Sequence, residues 1–448
     1  MDLLIRNARL QGDVVDISIR GGSIEAITAA APRPAEPTEP AAGPAAGPDA
    51  KPAAVPDGYR VLDASGLVAM PSLRNGHTHA AMTLFRGWGD DMPLMAWLQD
   101  RIWPAEARLT EQDVYRGTRL AIVEMIRSGT THFNDMYWHA PAIARAASEM
   151  GVRAHVGAAF VDLGQASVAA RWRAAMDEWL EQRDAWGPRI RATIAPHAIY
   201  TVSEEHLTWL GTVAEEADLP LHIHLSETLG EVTDCVAAHG VRPTALLERA
   251  GLLKSRLIAA HGVYLDPDEF ELLGRAGATV VHNPAANLKL ATGGILDYAA
   301  ATTAGVRVIL GTDGVASNNN HDLFEEMKLA ALLQKHRGQD ATLLPASEAI
   351  ALATSEPAQL LGSGHGTLEV GEPADLLLLD LSLPATQPGH DLNSDLVYAA
   401  NGSVVHTTIC AGEVLMHDRK LEVADEGELC AEAAESARRL TGGSPEQR

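Results

Sequence analysis

His77-Thr78-His79 closes an apolar run that starts at Gly66-Leu67-Val68-Ala69-Met70. On a β-strand, residues i and i+2 point to one face, so this tripeptide offers two imidazoles to a single ion. Other polar groups stand at the ends of later apolar runs: His197, His224 with Glu227, His261, and Asp313. Any one of them alone reads as a hydrogen-bonded structural residue, but their recurrence at successive run ends reads as an active site. Three histidines and one carboxylate suit a borderline cation such as Zn²⁺, with a water completing a catalytic coordination sphere.

These residues need a scaffold that brings strand ends to one place. From about Leu67 to Leu361, short buried runs alternate with long amphipathic stretches. The runs are the one ending at His79, then Gly129 to Asp135, Arg153 to Phe160, Arg191 to Pro196, Leu221 to Glu227, Leu257 to Val263, Thr279 to Asn283, and Val306 to Asp313. Helical stretches such as Asp113 to Arg127, Ser203 to Ala217 and Asp322 to His336 separate them. Eight such units predict an α/β fold, a (β/α)8 TIM barrel, which builds active sites at the C-terminal ends of its strands. Short alternating runs at both chain ends, Leu3 to Leu10 and Val404 to Cys410 among them, predict a second, smaller β-sandwich domain. The expected boundaries are 1–66 and 363–424 for the small domain, 67–362 for the barrel and 425–448 for a C-terminal tail. Residues 31–58, almost wholly Ala, Pro, Gly and acidic residues, read as a flexible insertion, too poor in large apolar side chains to offset ordering entropy.

A formal charge of −24 over 448 residues disfavours a nucleic-acid partner, since phosphate tracking needs clustered Lys and Arg. No signal-peptide pattern and no membrane-length apolar stretch is evident, so a cytoplasmic protein away from membranes is expected. Cys235, Cys410 and Cys430 are widely spaced and in no CxxC pair, which suits a reducing compartment. A homo-oligomer is expected.

His-x-His after the first run, His222-Ile223-His224-Leu225-Ser226-Glu227-Thr228, Ala260-His261-Gly262-Val263 and Gly311-Thr312-Asp313-Gly314-Val315-Ala316-Ser317-Asn318-Asn319 together resemble the amidohydrolase superfamily. Within it the chain is most similar to adenosine-type deaminases acting on 5'-methylthioadenosine and S-adenosylhomocysteine. Specific signals are His79 to Gly87, Asp90 to Leu94, Asn287 to Leu290 and Phe324 to Ala330.

The resemblance implies one metal, Zn²⁺ with Fe²⁺ or another divalent ion as alternatives, held by His77, His79, His224 and Asp313. Binuclear members bridge their metals through a strand-four Lys, and this chain has no Lys between Lys51 and Lys254. The implied roles are Asp313 as ligand and base, His261 orienting the water or the tetrahedral centre, and Glu227 as proton shuttle to the purine ring. Glu106 and His197 match residues that face the nucleoside. Trp97, with Trp88 and Trp103, offers a wall for the purine or a 5' thioether. Arg171 and Arg173 lie where relatives grip an amino-acid carboxylate, without a clear register match. The implied activity is hydrolytic deamination of a 5'-substituted adenosine to the inosine analogue and ammonia. Alternatives are another amino-heterocycle (guanine, cytosine or a triazine) or an inactive metal-binding barrel.

Overall fold

The computed structural model describes residues 2–30, 58–254 and 256–442. The expected flexible insertion lies outside the described residues, apart from Gly58.

Eight parallel strands run in strict sequence order: Leu73–Thr78, Thr130–Tyr137, Arg153–Phe160, Ile190–Pro196, Leu221–Leu225, Leu257–His261, Thr279–His282 and Arg307–Leu310. Parallel strands covered by helices are buried on both faces, which is why they read as near-continuous apolar runs. The eighth strand returns to the first, where the Asp313 N–H donates to the His77 carbonyl at 3.0 Å. Gly311 permits that approach, since a Cβ there would lie 2.9 Å from the His77 nitrogen and 2.5 Å from Asn283 Oδ1. The helices between strands carry ordinary start and stop signals. Glu111–Ser128 opens with a reciprocal Thr110/Asp113 capping box and ends at Gly129 in the left-handed region.

The first apolar run divides in two. Val68–Pro71 belongs to a separate sheet, and only Leu73–Thr78 enters the barrel. That second sheet, assembled from both chain ends, has nine mixed strands, with Val68–Pro71 joining Asp2–Leu10 to Leu376–Leu379. Strand alternation lets it serve two cores. Leu376 and Leu378 pack with Ile5, Ile17 and Ile409, while Leu377 and Leu379 join the main core.

Beyond the sheet, Glu426–Thr441 forms a helix. It packs on Glu111–Ser128, with Arg119 to Glu432 at 3.2 Å and Arg127 Nε to Glu426 at 3.0 Å. No helix among the described residues is long and apolar enough to cross a membrane.

Candidate active site

The C-terminal ends of strands one, five, six and eight bring His77, His79, His224, His261 and Asp313 into one buried cluster. His77 Nε2 and His79 Nε2 each lie 3.4 Å from Asp313 Oδ1, and His79 Nε2 lies 3.2 Å from His224 Nε2. Ligand atoms of His77, His79 and His224 all lie within 4.8 Å of one another, as do those of His77, His261 and Asp313. Ser226, His261 and Asp313 have φ of +50°, +78° and +59°. Non-glycine residues seldom hold that conformation, and here it occurs at three strand ends that turn side chains inward.

Second contacts aim these rings. His79 Nδ1 donates to the Met136 carbonyl at 2.6 Å and His224 Nδ1 to the His197 carbonyl at 2.7 Å, leaving both Nε2 lone pairs facing the cluster. Asp313 Oδ1 accepts the Gly314 N–H at 2.7 Å and Oδ2 accepts Ser317 Oγ at 3.0 Å. Burial pushes the Asp313 carboxyl upward, but the neighbouring His77 and His79 outweigh it and hold the group well below the usual carboxylate range. Burial takes His77 down to about 4, so it is a neutral imidazole. The donor set fits a divalent metal. His77 Nε2 is fully buried yet has no hydrogen-bond partner, and it faces an ionised carboxylate and two imidazole nitrogens.

His261 is oriented differently. Its Nδ1 accepts from Asn287 Nδ2 at 3.0 Å, which puts the proton on Nε2, a buried atom without a partner 3.8 Å from Glu227 Oε2. Glu227 lies past the end of strand five, just beyond the Ser226 kink. Burial, then the charge of Asp313, raises its carboxyl to about 8. Glu227 takes no part in capping the next helix, where the Thr228 hydroxyl accepts the Glu231 N–H. Glu231 instead braces the turn, its carboxylate accepting the Ser226 and Glu227 N–H groups at 2.8 Å each.

A cavity of about 350 Å³ opens beside the cluster, within the range of small-molecule sites. Trp97, Glu106, Arg171 and His197 all line it together with Glu227, His261 and Asp313. Glu106 Oε1 accepts the Tyr137 hydroxyl at 2.7 Å, and burial raises its carboxyl. His197, taken down to about 3 by burial, pairs through Nδ1 with Thr201 at 2.9 Å. Arg173 is not brought to the cavity. Both arginines lie on the helix Ala166–Gln182 that follows strand three, and residues two apart on a helix point about 200° apart. Arg171 thus reaches the cavity over the Trp172 ring, while Arg173 stacks on Trp209 at 4.1 Å. Trp103 lines the cavity as well, whereas Trp88 packs against the core beside Phe85.

Sequence reasoning gave no role to His222, Tyr137, Glu231 or Asn287, although His222 and Asn287 stand inside motifs quoted for the family resemblance. The same-face rule applied to His222-Ile223-His224 would have found the first of these.

The amidohydrolase family model matches residues 68–415, spanning the barrel and the strands that return to the small sheet. The chain belongs to the amidohydrolase family. Among members of that family, it is 53% identical over 381 residues to a 5'-deoxyadenosine deaminase of Methanoregula boonei, covering 85% of this chain and 86% of the relative. It is 45% identical over 386 residues to a 5-methylthioadenosine/S-adenosylhomocysteine deaminase of Haloarcula marismortui, covering 86% and 89%. A solved adenosine deaminase from Xanthomonas campestris with bound zinc superposes with a TM-score of 0.86 at 37% identity, covering 99% of each chain.

Proposed function

We propose that this chain hydrolyses the C6 amino group of a 5'-substituted adenosine, giving the inosine analogue and ammonia, with zinc as its metal. The substrate class comprises 5'-deoxyadenosine, 5'-methylthioadenosine, S-adenosylhomocysteine and adenosine. The observation carrying this reading is the juxtaposition of the buried Glu227, His261 with its Nε2 3.8 Å from that carboxyl, and Asp313, all lining one cavity. Deaminase relatives over most of the chain point to the same chemistry.

A divalent cation held by His77, His79, His224 and Asp313 would supply Lewis acidity that lowers the pKa of water towards 7. The chain's own groups then divide the proton work. Asp313, ionised at neutral pH, accepts a proton from the attacking water. Glu227 starts as a carboxylic acid and gives its proton to a purine ring nitrogen, which draws electrons from C6. His261, with its hydrogen on Nε2, holds the attacking oxygen in line with C6, while the electron pair displaced as C6 becomes tetrahedral settles on the ring nitrogen that Glu227 protonates. Glu227, now a carboxylate, takes the hydroxyl proton on C6 and passes it to the amino group, so the C–N bond breaks, ammonia leaves, and the proton held by Asp313 restores the Glu227 acid. Glu106 is assigned to the ribose hydroxyls, His197 to the nucleoside face, and Trp97 to the apolar wall.

The test is ammonia release by metal-replete protein from adenosine, 5'-deoxyadenosine, 5'-methylthioadenosine, S-adenosylhomocysteine, guanine and cytosine. A 5'-substituted adenosine should give the highest kcat/KM. Faster release from guanine or cytosine would overturn the assignment.

A further inference from the structure

The expected metal ligands are not all held in the same way. His79 and His224 donate Nδ1–H to backbone carbonyls, which only accept, so each ring has one compatible tautomer. His77 Nδ1 instead meets His222 Nε2 at 2.9 Å, two fully buried imidazoles crossing at 90°. An imidazole nitrogen can donate or accept, so this contact alone leaves either ring free to carry the proton. The cation supplies the distinction: His77 Nε2 has no hydrogen-bond partner and stands in the cluster, 3.4 Å from Asp313 Oδ1. If that nitrogen keeps its lone pair for a cation, Nδ1 carries the hydrogen and His222 Nε2 accepts it.

We propose that His222 is a positioning residue that accepts the Nδ1–H of His77 and so holds the His77 ligand nitrogen towards the cation. The inference rests on reading His77 as a ligand. His222 does not line the cavity and stands behind His77. It acts through the orientation and basicity of one ring, as a carboxylate or carbonyl behind a ligating histidine commonly does. Strand geometry places it there, because His222 and His224 share one face of Leu221–Leu225, one behind His77 and the other beside it.

The experiment loads wild type, His222→Leu, His222→Gln and His77→Ala with Zn²⁺ and measures affinity by chelator competition. It also records the visible spectrum of the Co²⁺ forms and the melting of the metal-free proteins. His222→Leu should lose about 10–100-fold in Zn²⁺ affinity and shift the Co²⁺ absorption. His222→Gln, whose amide oxygen can accept the same hydrogen, should recover to within about threefold of wild type. Wild-type affinity in His222→Leu, or equal weakness in the Leu and Gln variants, would overturn the proposal. If His222→Leu does not fold, His222→Met serves as the acceptor-free variant, and failure of both to fold assigns His222 to the fold alone and overturns it. Wild-type affinity in His77→Ala would instead remove the ligand reading beneath it, independently of any deaminase activity.

Discussion

The barrel carries a buried polar cluster at each end of its strands, and the two are built on opposite rules. At the N-terminal ends, Asp375 reaches in from the small sheet and accepts from Arg153 Nε at 2.8 Å and from the Ala411 N–H at 2.6 Å, with Arg74 3.8 Å away. Arg74 donates to Ser363 and to the Ser72 carbonyl, and His132 bridges Ser363 and His155 at 3.2 and 3.0 Å. At the C-terminal ends, the Nε2 atoms of His77 and His261 are buried with no partner. A buried polar atom left unpaired costs about 1–3 kcal/mol. A saturated cluster ties the barrel to the sheet beneath it, whereas an unsaturated one holds capacity for an ion and a reaction.

The largest effects should come from breaking the unsaturated end. Asp313→Asn removes both an expected ligand and the proposed base, so metal retention and turnover should fall together, turnover by about 10⁴-fold or more. Glu227→Gln keeps the side chain's shape but not its proton relay. Metal content and nucleoside binding should persist while turnover drops on the order of 10²–10⁴-fold. The paired measurement is metal stoichiometry beside ammonia release from 5'-methylthioadenosine. Near wild-type turnover in Glu227→Gln, or loss of its metal, would show that the proton travels by another group, with His261 the first to examine.

The saturated end should fail in the other currency. Asp375→Ala leaves the buried Arg74 and the partly buried Arg153 without their carboxylate, a change that costs about 3–5 kcal/mol where a buried pair is broken. Chemical denaturation should register that loss while kcat of the folded protein stays within about twofold. A kcat fall comparable to that of Glu227→Gln would mean that the two ends are coupled.

Acid should expose a property that both ends share. Burial takes His155 and His197 to about 3 and His77 and His321 to about 4, against about 6.5 in an unfolded chain. A depressed pKa means the folded state prefers the neutral ring. The stability this contributes is therefore present above about pH 6.5 and lost as pH falls towards 4. Melting of chelator-stripped protein at pH 7, 6 and 5 should show a falling midpoint, and a flat profile would count against neutral buried rings.

How far these features were legible in the chain depends on whether local pattern determined them. The eight barrel strands stand out because parallel strands buried on both faces need uninterrupted apolar residues, and strand-end polar groups such as His261 and Asp313 then break the pattern conspicuously. The division at Ser72 was not legible. Apolar continuity across Val68 to Leu73 says nothing about which sheet each half joins, and pairing to Leu376–Leu379 is a long-range choice. His222 was half visible, since its face follows from spacing while its contact with His77 depends on barrel closure. The Glu426–Thr441 helix was read only as a tail because its apolar face is narrow, with Leu429, Ala433 and Leu440 carrying it, and its ion pairs reach a helix far away in the chain.

The smallest expected effect sharpens the comparison at the cavity wall. Arg171 and Arg173 look equivalent as a pair of arginines two residues apart, but the helix turns them to different surroundings. Arg171 lines the cavity, with its guanidinium 4.8 Å from the centre of the Trp172 ring, and Trp172 in turn stacks on Trp138 at 4.3 Å. Arg173 rests on Trp209 away from the cavity. If the homocysteine carboxylate of S-adenosylhomocysteine reaches this wall, Arg171→Ala should raise its KM by about tenfold, the worth of one hydrogen bond to a charged group. The KM for 5'-deoxyadenosine, which has no carboxylate, should change less than about twofold, and Arg173→Ala should leave both substrates within that margin. Equal KM changes for the two substrates in Arg171→Ala would show that the residue shapes the wall through its stacking on Trp172 rather than by pairing with charge. A tenfold effect confined to Arg173→Ala would mean that the helix turns to meet the substrate.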